Sequence, residues 1–243
     1  MKSNQGVVAM VPARIGSTRL PMKNLALVDG RPMISYAIEA ARNAGVFDRV
    51  VVNGDHPVFA EIAARYGAEF YLRPAELGSS TTKSDDVVAD FMEHHPASVT
   101  AWVNPTSPLQ TADEVRRVVE HFQNENLDSL ITVSSAQVHA NFKGAPLNYR
   151  TDELFAQTQD LEPVELFVYS VMMWRNESFL AAYREKHHAF FVGKVGFFPV
   201  SRLSALIVKR EEDLQLVDFI ARSRREGGWR LSYDPAAKER DHA

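Results

Sequence analysis

Short apolar runs separated by amphipathic segments constrain this chain more than any other feature. Strand-like runs fall at 7–11, 49–52, 69–72, 99–103 and 129–133. Helix-like segments lie between them at 32–44, 57–66, 85–93 and 112–124. Pro32 suits a first helical turn, Gly45 a helix end, and Ser84 an N-cap. Asp113 and Glu114 suit the positive end of a helix that starts at Thr111 or Ala112. Such β-α alternation predicts an α/β fold: a Rossmann-like, three-layer α/β/α arrangement around a mostly parallel sheet. Ligands of these sheets sit beyond the carboxyl ends of the strands. The loops after Val11, Val52, Leu72 and Val103 are therefore the ones to inspect.

The alternation breaks near Ala136. A polar, irregular stretch to about Glu165 gives way to an apolar run at 166–174, a helix at 176–186, strands at 194–200 and 205–208, and a helix at 211–226. The expectation is one domain over 1–243 with an inserted arm at about 136–170. The arm packs on a second subunit or makes a surface excursion. The tail from Asp234 to Ala243 is charged and expected to fray.

Composition narrows the function classes. A net charge of −4 provides no global field for nucleic acid or an anionic membrane, so any phosphate site must be local. The absence of cysteine excludes disulfides, zinc thiolates and a thiol nucleophile. No apolar run is long enough to span a bilayer, and the N-terminus enters the first strand without a signal-peptide core, so a cytoplasmic protein is expected. The pairs His94-His95 and His187-His188 have no metal-ligand spacing and read as helix-end or loop residues.

The loop after the first strand carries the chemistry. Val11-Pro12-Ala13-Arg14-Ile15-Gly16-Ser17-Thr18-Arg19-Leu20-Pro21-Met22-Lys23-Asn24-Leu25 combines small residues with Arg14, Arg19 and Lys23. Backbone N–H groups at a strand end, with cations beside them, suit a polyphosphate. The loop is neither a dinucleotide fingerprint nor a Walker A loop. Arg14 can grip two oxygens at once, and Lys23 is a mobile point charge.

This loop resembles the signature of cytidylyltransferases that activate acidic sugars, the acylneuraminate (CMP-sialic acid) and CMP-Kdo synthetases. Arg31-Pro32-Met33-Ile34, Arg73-Pro74-Ala75-Glu76-Leu77, Ser84-Asp85-Asp86-Val87-Val88, Asn104-Pro105-Thr106-Ser107-Pro108-Leu109, Lys194-Val195-Gly196 and Glu211-Glu212-Asp213-Leu214 continue the resemblance in order along nearly the whole chain. It implies transfer of CMP from CTP to a 3-deoxy-2-ulosonic acid sugar with release of pyrophosphate. It implies that Arg14 and Lys23 are catalytic and hold phosphates. Ala13, Gly16, Ser17 and Asn24 complete the loop, Arg73 and Ser84 lie near the nucleotide, and Asn104 faces the sugar. It also implies a homodimer and a Mg²⁺ ion held by carboxylates.

The carboxylates are where the chain departs from the pattern. The Asp-x-Asp expected before the final helix is replaced by Ile207 and Lys209, and the Asn104-Pro105-Thr106 loop carries no acid. No metal ligand is therefore assigned, with Asp55, Glu211 and Asp213 as the nearest acids. On the sugar side, a basic pair and an Asn-Gly-Ala are replaced by residues around Gln157-Thr158-Gln159 and by Tyr169-Ser170-Val171. Three readings follow: turnover with the metal held elsewhere or by phosphates alone, Lys209 standing in for the metal, or a catalytically weak nucleotide-binding homologue. Transfer of a different nucleotide to a sugar phosphate is a further alternative.

Overall fold

The computed structural model describes residues 6–79 and 81–234; the expected frayed tail falls almost wholly outside them. In chain order the main elements are β1 (Val7–Ala13), α1 (Ile34–Ala44), β2 (Arg49–Gly54), α2 (Val58–Arg65), β3 (Glu69–Leu72), α3 (Ser84–His94), β4 (Val99–Val103), α4 (Ala112–Asn124), β5 (Ser129–Ala136), β6 (Val164–Arg175), α5 (Asn176–Lys186), β7 (Val195–Pro199) and α6 (Glu211–Arg225). Seven strands form one sheet in the order β7-β5-β6-β4-β1-β2-β3. β6 runs antiparallel to both its neighbours, and the other pairings are parallel. The mostly parallel α/β expectation holds.

The period of two along β1 explains the layers. Val7, Ala9, Val11 and Ala13 face the layer of α1, α2 and α4, where Ile34, Ile38, Phe59, Val118 and Phe122 are buried. Val8 and Met10 face the opposite layer of α3 and α5, with Phe91, Trp174 and Phe179. Each of the buried valine, isoleucine, methionine and phenylalanine side chains contributes about 1.5–3 kcal/mol by leaving water. Trp174 is fully buried, and its indole N–H donates to the Phe190 carbonyl at 3.1 Å.

Helix ends follow their local chemistry. The Thr111 hydroxyl accepts the Glu114 N–H at 3.2 Å, and Gly45 takes φ 69° after α1. Three local expectations need correction. Pro32 is not in a helix: Asp29 and Gly30, at φ 47° and 76°, turn a hairpin that pairs Val28 with Arg31 and Leu27 with Pro32, and α1 starts at Ile34. Ser84 is the first residue of α3, and Lys83 holds the cap position. Residues 205–208 form no strand, because Leu203, Leu206 and Val208 pack with Val217 and Ala221 of α6 and with Val28 of the hairpin.

The arm is rooted in the sheet. The outer half of β6 pairs with the extension of β5, from Val164 opposite Ala136 to Phe167 opposite Val133. The ladder then slips: Met172 faces Ile131, so residues 168–171 bulge opposite Thr132. Tyr169 sits in this bulge at φ 60°, and the Thr132 hydroxyl closes it with a 2.9 Å bond to the Val171 carbonyl. The histidine pairs lie at helix ends as expected, although His95 is half-buried and stacks on Phe91 at 4.5 Å.

Candidate functional site

β1 leads through α1 to β2 on one side, while β4 lies on its other side, so the connections diverge between β1 and β4. A crevice opens there beyond the carboxyl ends of the strands. It holds a cavity of about 350 Å³ whose lining includes Ala13, Arg14, Ser17, Lys23, Asn24, Arg73, Ser84 and Asn104. Residues read from four separate stretches of sequence thus meet at one place. Gly16 is in the same loop but outside the lining, with open space where a side chain would project. Thr82, Trp102 and Thr106 also line the cavity, and the sequence reading missed them. The Trp102 indole N–H and the Arg73 Nε are buried without a hydrogen-bond partner.

The loop after β1 is fixed by long-range bonds. The Asp55 carboxylate accepts the Ile15 N–H at 2.8 Å, and its other oxygen lies 3.9 Å from Arg73. Asp55 therefore organises the loop rather than serving as a spare acid. Asn24, almost fully buried, donates to the Arg14 carbonyl at 3.4 Å. Met22 takes φ 47°, which turns the chain into a short helical turn beginning at Lys23. The Lys23 ammonium donates to the Val208 carbonyl at 3.2 Å, tying the loop to the segment before α6.

Electrostatics distinguish the half-buried Lys23 from the buried Arg73. Burial pushes the Lys23 pKa down to about 8, helped by Arg19, Arg14 and Lys209 and opposed by Asp213. Burial also lowers the Arg73 pKa, against the attraction of Asp55; the guanidinium donates to the Asn53 carbonyl at 2.6 Å. An anion in the cavity would meet cations whose charge is only partly compensated.

Asn104 is shared with a second cavity of about 490 Å³. Its side-chain Oδ1 accepts from the Thr106 N–H at 3.0 Å and the Thr106 hydroxyl at 2.9 Å, and its side-chain Nδ2 donates to the Tyr169 carbonyl at 3.0 Å. Asn104 thereby pins the end of β4 to the bulge in β6. The second cavity is lined largely by apolar groups, among them Leu166, Phe167, Leu206 and Ile207, with Lys209 and Asp213 at its polar side.

The corner formed by Ile207 and Lys209 does not suit Mg²⁺, which needs several hard oxygen ligands. Asp213 Oδ2 accepts the N–H groups of Lys209 and Arg210 at 2.8 and 2.9 Å, capping α6. Glu211 is an exposed residue of the same first turn. Among the described residues, no group of three or more histidine, cysteine or acidic side chains could hold a metal ion.

The sequence matches the cytidylyltransferase family model over residues 8–207. The chain belongs to the cytidylyltransferase family. An N-acylneuraminate cytidylyltransferase of Streptococcus agalactiae serotype III (strain NEM316) is 26% identical over 215 residues, covering 85% of this chain and 51% of that protein. A 3-deoxy-manno-octulosonate cytidylyltransferase of Synechococcus elongatus is 36% identical over 128 residues, covering 52% of this chain and 51% of that protein. This cytidylyltransferase chain thus spans about half the length of these curated relatives. The solved structure of CMP:2-keto-3-deoxy-manno-octonic acid synthetase complexed with CTP superposes with a TM-score of 0.71 at 16% identity, covering 90% of this chain and all of that one. That likeness is one of fold. Among the described residues, no helix is long and apolar enough to cross a membrane.

Proposed function

We propose that the chain transfers CMP from CTP to an acidic 3-deoxy-2-ulosonic sugar, sialic or nonulosonic acid-like or Kdo-like, and releases pyrophosphate. The observation that carries this reading is the convergence of Arg14, Lys23, Asn24, Arg73 and Ser84 on one cavity between β1 and β4. The sugar's anomeric hydroxyl oxygen bonds to the α-phosphorus, the bond to the bridging oxygen breaks, and pyrophosphate leaves with that oxygen. The hydroxyl proton passes to solvent. Arg14 and Lys23 stabilise the charge that develops on the phosphates. Ala13, Ser17 and Asn24 shape the phosphate pocket, with Gly16 supporting the loop from outside it. Arg73 and Ser84 face the nucleoside side. The acceptor occupies the second cavity beyond Asn104, where apolar walls suit an acyl or deoxy substituent.

The same proposal places the protein in the cytoplasm, where nucleoside triphosphates are kept, and makes it a homodimer. Support for the dimer comes from Phe167, Tyr169, Phe191 and Phe197, which form an exposed aromatic cluster beside the arm.

Pyrophosphate release from CTP with a panel of nonulosonic acids and Kdo tests the activity, with and without Mg²⁺. Turnover with one of these sugars is expected. A second reading, a nucleotide-binding homologue with little turnover, is favoured by Lys209 at the corner where carboxylates were expected. CTP binding without turnover on any sugar would select it.

A further inference from the structure

Positive charge accumulates where the two cavities meet. Arg14 and Lys23 line the first cavity, Lys209 lines the second, and Arg19 joins them among the cations that disfavour the charged form of Lys23. The carboxylates close to them are engaged. Asp55 holds Ile15 and Arg73, and Asp213 holds the first turn of α6. The segment that carries Lys209 is fixed on both sides. Val208 donates its N–H to the Thr106 carbonyl at 2.8 Å and offers its own carbonyl to Lys23. From this anchored backbone the exposed Lys209 side chain borders the second cavity. Among the described residues its ammonium makes no ion pair.

A divalent cation brought into this corner would meet ammonium and guanidinium groups where it needs oxygen ligands. A triphosphate brought there alone would meet the charge it requires. We propose, on the footing of the nucleotide reading above, that Lys209 is a further phosphate-binding residue. Together with Arg14, Arg19 and Lys23 it neutralises the triphosphate directly, so that this chain binds CTP without a divalent ion. The lysine does the electrostatic work of a metal as a fixed cation with three donors. It cannot supply a metal's coordination geometry, and none is needed for binding.

The experiment is calorimetric titration of CTP into the full chain, once in excess EDTA and once in Mg²⁺. The expected affinities agree to within about fivefold, and Lys209→Ala weakens binding in EDTA by about tenfold. Lys209→Arg, which keeps the charge, should retain most of the affinity. The side chain is exposed, so the variants are expected to melt like the parent, and a thermal scan checks this. A preference of the parent chain for Mg²⁺ larger than about fivefold, or unchanged binding by a folded Lys209→Ala, overturns this inference and leaves the nucleotide reading standing. Absence of CTP binding under both conditions overturns both.

Discussion

The Asp55 carboxylate accepts the backbone N–H of Ile15 at 2.8 Å and lies 3.9 Å from the buried guanidinium of Arg73. One side chain beyond β2 therefore positions the loop after β1 and counters a buried charge. Removing it leaves the Arg73 cation without its partner, which is costlier than the pair is stabilising. Asp55→Ala should destabilise the fold by about 3 kcal/mol. Asp55→Asn, which can still accept from Ile15, should cost less. Urea denaturation measures both, and CTP affinity should fall with the loss of loop order.

Lys23 opposes stability while its ammonium stays charged. Its folded pKa of about 8 lies below the ordinary value of 10.5, so the folded state binds the proton less tightly than the unfolded chain. The resulting penalty is fully present below pH 8 and is relieved as pH rises from 8 to about 10.5. Partial exposure screens it, and loss of the bond to Val208 offsets it further. Lys23→Met should therefore raise the melting temperature at pH 7 by about 2–4 °C, with the gain vanishing above pH 10. The same variant should bind CTP at least about tenfold more weakly. Thermal scans across pH, paired with titration, check the two opposite effects. A variant that melts lower at pH 7 would contradict the charge-burial account.

CTP binding should also take up protons near pH 8. The phosphates favour the charged Lys23, whose surroundings are Arg14, Arg19, Lys209 and Asp213. Calorimetry at pH 8 in buffers of different ionisation enthalpy should reveal net uptake, and affinity should decline as pH rises past 8. Binding that is indifferent to buffer would show that Lys23 does not face the phosphates.

Asn104 is spent on structure as much as on the site. Its side chain holds Thr106 and the Tyr169 carbonyl at once. Asn104→Ala should cost about 2 kcal/mol in chemical denaturation, from the several hydrogen bonds lost. Loosening of the Tyr169 bulge should raise the sugar KM more than it weakens CTP.

The aromatic cluster beside the arm supplies a test of assembly. Phe167 stacks on Phe197 at 5.6 Å, and Phe191 is 60% exposed at the side of this group. Light scattering should give a dimer for the parent chain and a monomer for Phe191→Glu. A monomeric parent at micromolar concentration would refute the dimer.

The layers were legible because both faces of the sheet are buried, which makes each strand a continuous apolar run such as Val7 to Val11. That Arg14, Lys23 and Asn24 line one cavity was legible because they are close in sequence. What escaped depends on distance or on ambiguous side chains. Trp102 sits inside a strand and reads as core, although the residue lines the first cavity. Asp55 reads as a turn residue because its partners are Ile15 and Arg73, far along the chain. The hairpin before α1 was available in Asp29-Gly30, a pair suited to two successive positive φ values, but Pro32 drew the reading toward a helix. The segment at 205–208 is apolar enough for a strand, yet α6 and the hairpin compete for its side chains and win.

The bulge in β6 divides one strand into two parts with different obligations. The inner half carries Met172, Met173 and Trp174 into the core and must keep its register. The outer half begins again in a new register beyond Tyr169. Insertions or deletions in the arm are therefore absorbed before they reach the core, and the second cavity, lined by Leu166 and Phe167, can be reshaped while the lining of the first stays unchanged.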